Sequence, residues 1–363
     1  MSRGVIWHVS SNRWNSAVTE YALSAARALD GRGWTTVFTP LVGSPAESRG
    51  RALGLDVRPL TGFGPSHLFS FARISASIRP DVIIVYGGPE AFLIRLLPSL
   101  GRVRNLRFMG QDNWRERTTF LRLRKRFESS PFDLVIAPSR VVAKAMTPYF
   151  SVPVAPVTLG LDASRFQPTQ DPAGENHTTG ELILFGRFDP VKGHDKFFRL
   201  ISRVHKRLGA DAPRIHVAGK PANIAAKELV RAAESAGLKE GSTLRLTVGR
   251  VNDVPTLMTN ALAGVVASLG SELICRVAEE FLLCGTPVIV SGVGSLGEVV
   301  FPGAGINYDG RDTEDVVASL ADFILAAKAE TPEQRQARAN TARELFSLET
   351  MGRSLDDLIA TLP

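Results

Sequence analysis

Short apolar runs alternate along this chain with stretches whose apolar residues recur at helical spacing, the pattern of parallel strands covered by helices on both faces. In the first half the predicted strands are 4–9, 35–39, 81–86, 105–109, 133–137 and 154–158. Residues 16–29 set Val18, Tyr21, Ala22, Ala25 and Leu29 on one helical face, and 139–149 reads as a helix that directly follows its strand. A second series runs through 181–186, 214–219, 243–248, 264–267 and 287–291 and closes near 305–308. Between the two series, residues 161–180 turn polar and rich in turn formers, which predicts a linker. The fold class is therefore α/β, two Rossmann-like domains in tandem. The expected division is 1–165 for the first domain, 166–180 for the linker, 181–340 for the second domain, and an amphipathic helical segment at 341–363 that packs back across the interface.

With 363 residues, 44% of them hydrophobic and 22% charged, the chain has apolar material for more than one core. The formal charge of +7 is unevenly spread: residues 1–165 hold 22 Lys+Arg against 11 Asp+Glu, and residues 166–363 hold 21 against 25. A basic face is thus expected on the first domain. No apolar run is long enough to span a bilayer, and Met1-Ser2-Arg3-Gly4-Val5-Ile6 opens a strand without a signal-peptide pattern, so a cytoplasmic protein is expected. The two cysteines, Cys275 and Cys284, would stand about 14 Å apart along a continuous helix, too far for a disulfide.

The candidate chemistry lies mainly in the second half. Gly186-Arg187 and Lys192-Gly193 bound the loop after the first strand there, ahead of a helix starting near His194. A guanidinium and an ammonium five residues apart, at a strand's carboxyl end and a helix N-terminus, suit a diphosphate. Solvated loop charges are the alternative reading. Further on, Ser271-Glu272 stands eight residues before Glu280, and Cys284-Gly285-Thr286-Pro287 follows. If Ser271 caps the helix and Gly285 ends it, Glu272 lies in the first turn and Glu280 about two turns on, two acceptors for a polyhydroxylated ligand. The alternative is a first-turn acid favourable to the helix dipole plus an Arg276–Glu280 surface pair, which contributes only ~0.3–0.5 kcal/mol. Asn15 or Ser16 caps the first helix, and the amides there could also meet a phosphate across a cleft. Neither Gly-x-Gly-x-x-Gly nor a Walker-type loop is present.

In order and spacing these pieces resemble the family 4 retaining glycosyltransferases of the two-domain GT-B fold. The match runs through Gly186-Arg187, Lys192-Gly193, Ser271-Glu272, Glu280, Cys284-Gly285-Thr286-Pro287-Val288 and Gly297-Glu298-Val299, with Leu159-Gly160-Leu161-Asp162 and Phe166 at the hinge. The resemblance implies two parallel sheets facing an interdomain cleft, with the acceptor on the first domain. It implies a nucleoside-diphosphate sugar donor, such as a UDP sugar. Arg187 and Lys192 would hold the diphosphate, Glu280 the ribose and Glu272 the transferred sugar. The donor would also meet Gly186, Gly219, Lys220, Arg250, Val251, Leu273, Ile274 and Cys275, and Asn15 and Ser16 would reach its phosphate across the cleft. Departures are visible: Leu273-Ile274-Cys275 replaces the family's Gly-Phe-Gly, Asn15-Ser16 replaces a Gly-Gly, and Met109-Gly110-Gln111-Asp112 stands where an acceptor-side His is usual. Asp112 is the substitute candidate for contacting the acceptor hydroxyl. The activity expected is retaining transfer to a glycan or lipid-linked acceptor in cell-envelope polysaccharide or lipopolysaccharide synthesis. The rivals are a sugar-nucleotide epimerase of the same fold and an inactive nucleotide-sugar binder. No cofactor or metal is expected, since cationic side chains take a metal's part.

The ten cations from Arg95 to Arg126 face only Asp112 and Glu116 in opposition. Residues 120–127 interleave apolar and basic positions, as a helix on an anionic membrane surface would, which suggests peripheral attachment at the inner face and a lipid-borne acceptor. A solvated basic face is the alternative, and with no recognition module nucleic acid is not expected as a partner. His8, His67, His177, His194, His205 and His216 show no metal-ligand spacing.

Overall fold

The computed structural model describes residues 3–97, 103–110, 129–168, 180–270 and 272–362. The chain forms two compact units, residues 1–161 with 346–363, and residues 162–345. Asp112, Ser271 and most of the expected linker lie outside the described residues, as do Arg102 and Arg115–Arg126 of the basic stretch.

Unit 1 holds a seven-stranded parallel sheet of β1 Val5–Ser10, β2 Thr35–Pro40, β3 Asp56–Val57, β4 Val82–Val85, β5 Arg104–Phe108, β6 Leu134–Ala137 and β7 Val154–Pro156. The strand order is β3-β2-β1-β4-β5-β6-β7. Six of these strands match the apolar runs, whereas β3 is two residues long with no apolar run to announce it. Ser16 caps the helix Ala17–Asp30 by accepting from the Thr19 amide at 3.3 Å. The helix buries Val18, Tyr21, Ala22, Ala25 and Leu29, the expected face.

The last segment is not one helix from residue 341. Pro332–Phe346 ends there, and Ser347 caps a new helix, Leu348–Ala360, by accepting from the Thr350 amide at 3.3 Å. Paired bonds through Leu161, Leu161 N to Phe346 O and Leu348 N to Leu161 O, anchor this junction in unit 1. Buried Asp356 then receives Arg3, Arg32 and Trp34, and so fastens the C-terminal helix to the start of the chain.

Among the described residues of the basic stretch, one cation is not on the surface. Arg107 lies on β5 and is buried, 5.8 Å from the Phe132 ring centroid, where its charge offsets buried Glu90. Arg95 donates to Ser130 O at 2.6 Å.

Unit 2 is a six-stranded parallel sheet: β8 Glu181–Phe185, β9 Arg214–Gly219, β10 Leu244–Val248, β11 Ala263–Val266, β12 Val288–Val290 and β13 Gly305–Asn307, in the order β10-β9-β8-β11-β12-β13. The helix His194–Leu208 packs Phe197, Phe198, Leu200, Ile201 and Val204 into a core shared with β8, β9 and β11. The order reverses direction at β8 and β11. Their carboxyl ends therefore flank the crevice where open α/β sheets collect ligands.

Candidate functional site

Three strand ends in unit 2 are stitched together by backbone bonds. After β8, Gly186 N donates to Ala218 O at 3.0 Å and Phe188 N to Lys220 O at 2.9 Å. After β10, Gly249 N donates to Gly219 O at 2.7 Å, which brings the Arg250-Val251 corner beside Gly219-Lys220. The approach is close enough to require glycine: a Cβ on Gly219 would sit 1.6 Å from Gly186 O. Gly186, Gly219, Lys220, Arg250 and Val251, named separately from sequence, thus form one neighbourhood.

The loop carrying the cations is held by its own acid. Asp189 is buried and accepts from Val191 N at 3.1 Å and Asn223 Nδ2 at 2.8 Å. Phe188 is fully buried beneath it. Gly193 ends the short turn Pro190–Lys192 at φ 69, and a Cβ there would meet Ala267 O at 2.0 Å, so the helix His194–Leu208 can begin this close to β11 only from glycine. Burial drives the His194 imidazole down to about 4, with nearby Lys192 acting in the same sense against Asp189. It is therefore neutral near pH 7. Arg187 is exposed and has no ion pair among the described residues.

Lys192 meets Glu272. Its ammonium contacts Glu272 Oε1, the oxygen that also accepts the Ser268 hydroxyl at 2.5 Å. Ser268 is fixed in turn, because Ser291 Oγ donates to its carbonyl at 2.6 Å. Glu272 is 7% exposed, and its own carbonyl accepts the Ser295 amide at 2.8 Å. Sequence reasoning missed Asp189, Ser268, Ser291 and Ser295. Two of the serines stand directly beyond β11 and β12, a placement that could have signalled them.

The helix after Glu272 differs from expectation. It spans Arg276–Leu283, and Cys275 at its N-cap makes no side-chain cap bond, so Glu272 precedes the helix instead of occupying its first turn. The reason lies in the intervening side chains: Leu273, Ile274 and Cys275 are all buried, and Ser295 Oγ binds Leu273 O at 2.9 Å, which makes the segment an ordered loop. No side chain from this trio stands on open surface where the family has Gly-Phe-Gly. The expected stop is present: Gly285 adopts φ 75, with its amide bonded to Leu282 O and the Thr286 amide to Phe281 O.

Glu280 is 1% exposed and accepts from Arg276 Nε at 2.7 Å, the i,i+4 pair that was the alternative reading. Beside it Glu279 is also buried, and burial lifts its carboxyl to about 8, helped by the charge of Glu280 and opposed by Arg276. Burial likewise pushes the Cys275 thiol well above its ordinary range, reinforced by Glu279, Glu272 and Glu298, so it stays protonated. Both cysteines are free. Among the described residues no group of three or more His, Cys, Asp or Glu is arranged to hold a metal ion.

Asn15 and Ser16 are engaged within unit 1. Asn15 Oδ1 accepts from Arg49 Nη1 at 3.0 Å, and the Ser16 hydroxyl, besides its cap, accepts from Asn12 Nδ2 at 2.6 Å. No helix among the described residues is long and apolar enough to cross a membrane.

Residues 167–344 match the family described as "Glycosyl transferases group 1". Among curated proteins, the D-inositol 3-phosphate glycosyltransferase of Rhodococcus opacus (strain B4) is 29% identical over 184 residues, covering 46% of this chain and 39% of that protein. The chain thus matches about two fifths of that relative's length. Among solved structures, Anabaena Alr3699/HepE in complex with UDP superposes with a TM-score of 0.78 at 16% identity, covering 100% of both chains. The same protein in complex with UDP-glucose gives 0.73 at 16% identity, covering 99% of this chain and 100% of that one. The architecture is the GT-B fold of glycosyltransferases.

Proposed function

We propose that this chain, whose residues 167–344 match the glycosyl transferases group 1 family and whose architecture is the GT-B fold, is a retaining glycosyltransferase. It would move a sugar from a nucleoside-diphosphate donor to a glycan or lipid-linked acceptor. The observation that carries this reading is the meeting of Lys192 and Glu272 beyond the ends of β8 and β11, with exposed Arg187 on the same loop as Lys192. A cation pair for the diphosphate and a carboxylate for sugar hydroxyls are what such a donor needs. The UDP and UDP-glucose complexes of the structural neighbour support this donor class.

In the proposed reaction the bond between the sugar's anomeric carbon and the β-phosphate oxygen breaks, and its electron pair leaves with the phosphate. Arg187 and Lys192 would neutralise that growing charge, a contact worth roughly 10²–10³ in rate. The acceptor hydroxyl would bond to the anomeric carbon on the same face and pass its proton to the departing phosphate oxygen. Glu272 would orient the sugar, and Glu280 would take the ribose hydroxyls in exchange for the Arg276 guanidinium. Leu273, Ile274 and Cys275 would offer backbone to the sugar, with Gly186, Gly219, Lys220, Arg250 and Val251 around the nucleotide. These cations would act where other transferases use a metal. Unit 1 would bind the acceptor, with Asp112 contacting its hydroxyl and Asn15 and Ser16 the donor phosphate. A role in cell-envelope synthesis at the inner membrane face would draw its support from the basic stretch of residues 95–126.

The test is a panel of labelled nucleotide sugars, each offered with glycan and lipid-extract acceptors and each offered alone. Acceptor-dependent release of nucleoside diphosphate with anomeric retention is expected, and Arg187→Ala and Lys192→Ala should each lower it by roughly 10²–10³. A donor altered without acceptor, or a donor bound and never turned over, would overturn the transferase reading.

A further inference from the structure

Unit 2 contains a cavity of about 590 Å³ that Arg187, Lys192, Glu272 and Glu280 do not line. Its walls are Lys196, Arg199 and Leu200 from the helix His194–Leu208, Leu269 from the loop after β11, and Tyr308 and Arg311 from the loop after β13. The volume is in the range that encloses a small organic ligand.

One side of this cavity is apolar and open. Leu269 is 46% exposed, although it belongs to a tightly held loop whose Leu269 amide donates to Val191 O at 2.8 Å. Tyr308 is 6% exposed. Its hydroxyl has no hydrogen-bond partner among the described residues and is not fully buried, so the exposed remnant of the residue includes a phenolic donor.

The other side is cationic. Arg199 is paired with Asp195 and Arg311 with Asp309, all four largely exposed, and such pairs exchange readily for a better anion. The one lining acid, Asp312, is already held by Arg203. Lys196 is exposed and has no ion pair among the described residues. An anionic group here would gain an uncommitted ammonium, two exchangeable guanidiniums and a phenolic donor. A neutral polyhydroxylated molecule would leave hydroxyls against Leu269 without partners.

The geometry points to a binding site for a small amphiphilic anion, a carboxylate, sulfonate or phosphate monoester on an aromatic or alicyclic body. The body lies against Leu269 and the exposed edge of Tyr308, and the anionic group faces Lys196, Arg199 and Arg311. The site is independent of the transferase reading, since it uses none of the residues assigned to the donor.

The probe is anilinonaphthalenesulfonate, titrated by fluorescence into the full chain. Saturable binding is expected, weakened about tenfold in Lys196→Glu and at least about tenfold in Leu269→Asp. Tyr308→Phe, which removes only the hydroxyl, should weaken it about threefold. Phenyl phosphate should displace the probe, and neither phenyl glucoside nor UDP should. Circular dichroism and melting of each variant verify the fold, and Lys196→Glu alters an exposed residue. Absence of saturable binding, equal affinity in Lys196→Glu and the parent, or displacement by UDP would each overturn the assignment.

Discussion

The Lys192 ammonium and the Glu272 carboxylate are in contact although 80 positions separate them in sequence. Lys192 arrives from the loop after β8 and Glu272 from the loop after β11. In the absence of ligand, the cation proposed to hold a diphosphate is therefore restrained by the acid proposed to hold the sugar.

A competing anion must break that pair. Glu272→Gln should bind UDP more tightly than the parent, by about three- to tenfold, because an ion pair between a largely buried Glu272 and a partly exposed Lys192 contributes on the order of 1 kcal/mol. The same variant should lose about 10²-fold in transfer. Isothermal titration and turnover assays separate the two effects. Unchanged or weaker UDP binding in Glu272→Gln would show that Lys192 is not restrained by its partner.

Ser268 acts through Glu272 and is a positioning residue. Ser268→Ala removes the 2.5 Å donor on Oε1 and leaves Lys192 as the remaining contact there. Turnover should fall about tenfold with donor KM nearly unchanged, since an orienting bond lost from a site's support typically has this effect. Ser268→Thr, which keeps the hydroxyl, should recover most of the rate. A rise in KM with unaltered kcat would assign Ser268 to ground-state binding instead.

Buried Glu279 is a liability whose sign can be read. Burial pushes its carboxyl from the ordinary 4.5 up to about 8, so between those pH values the folded chain holds a proton that the unfolded chain has released. Stability therefore falls as pH rises through this window, and the loss is complete above pH 8. Glu279→Gln should be more stable than the parent by roughly a few kcal/mol at pH 9 and nearly equal to it at pH 4. Denaturant midpoints at the two pH values measure it. A gain of the same size at both would assign the effect to packing.

Asp356 ties both ends of unit 1. Burial alone would raise its carboxyl, but hydrogen bonds from Trp34, Arg3 and Arg32 outweigh this and hold it below the ordinary 3.8 of a free aspartate. The stabilisation is present above that pH and disappears as pH falls below it. Asp356→Ala leaves Trp34 Nε1 and two guanidiniums without their acceptor, and should cost about 2–4 kcal/mol at pH 7. Limited proteolysis should then release the helix Leu348–Ala360 first. Resistance equal to the parent would show that apolar packing of this helix suffices.

Much of the fold was legible from local pattern. The strands at 214–219 and 244–248, the helix under Ser16 and the helix stop at Gly285 all follow from periodicity, a capping hydroxyl or a glycine that can turn left-handed. Strand β3 was not, because two residues carry no period. The helix start near Glu272 was misread because Leu273, Ile274 and Cys275 look helix-compatible in sequence, while their burial against the loop at Ser295 is a tertiary matter. Arg107 was counted with a basic face for the same reason: composition does not distinguish a cation on the surface from one set beside a buried acid.

The sequence by itself determined the alternation of strand and helix, the two-part organisation and the residue types at the strand ends. These depend on neighbours within a few positions, where periods of two and 3.6 residues are written directly in the chain. Tertiary structure alone decided that Lys192 and Ser268 share one oxygen of Glu272, that Glu279 is held neutral, and that Lys196, Leu269 and Tyr308 line a common cavity. Each of these depends on distance and burial between segments far apart in the chain. Such contacts exist only once the sheet order has brought the loops together.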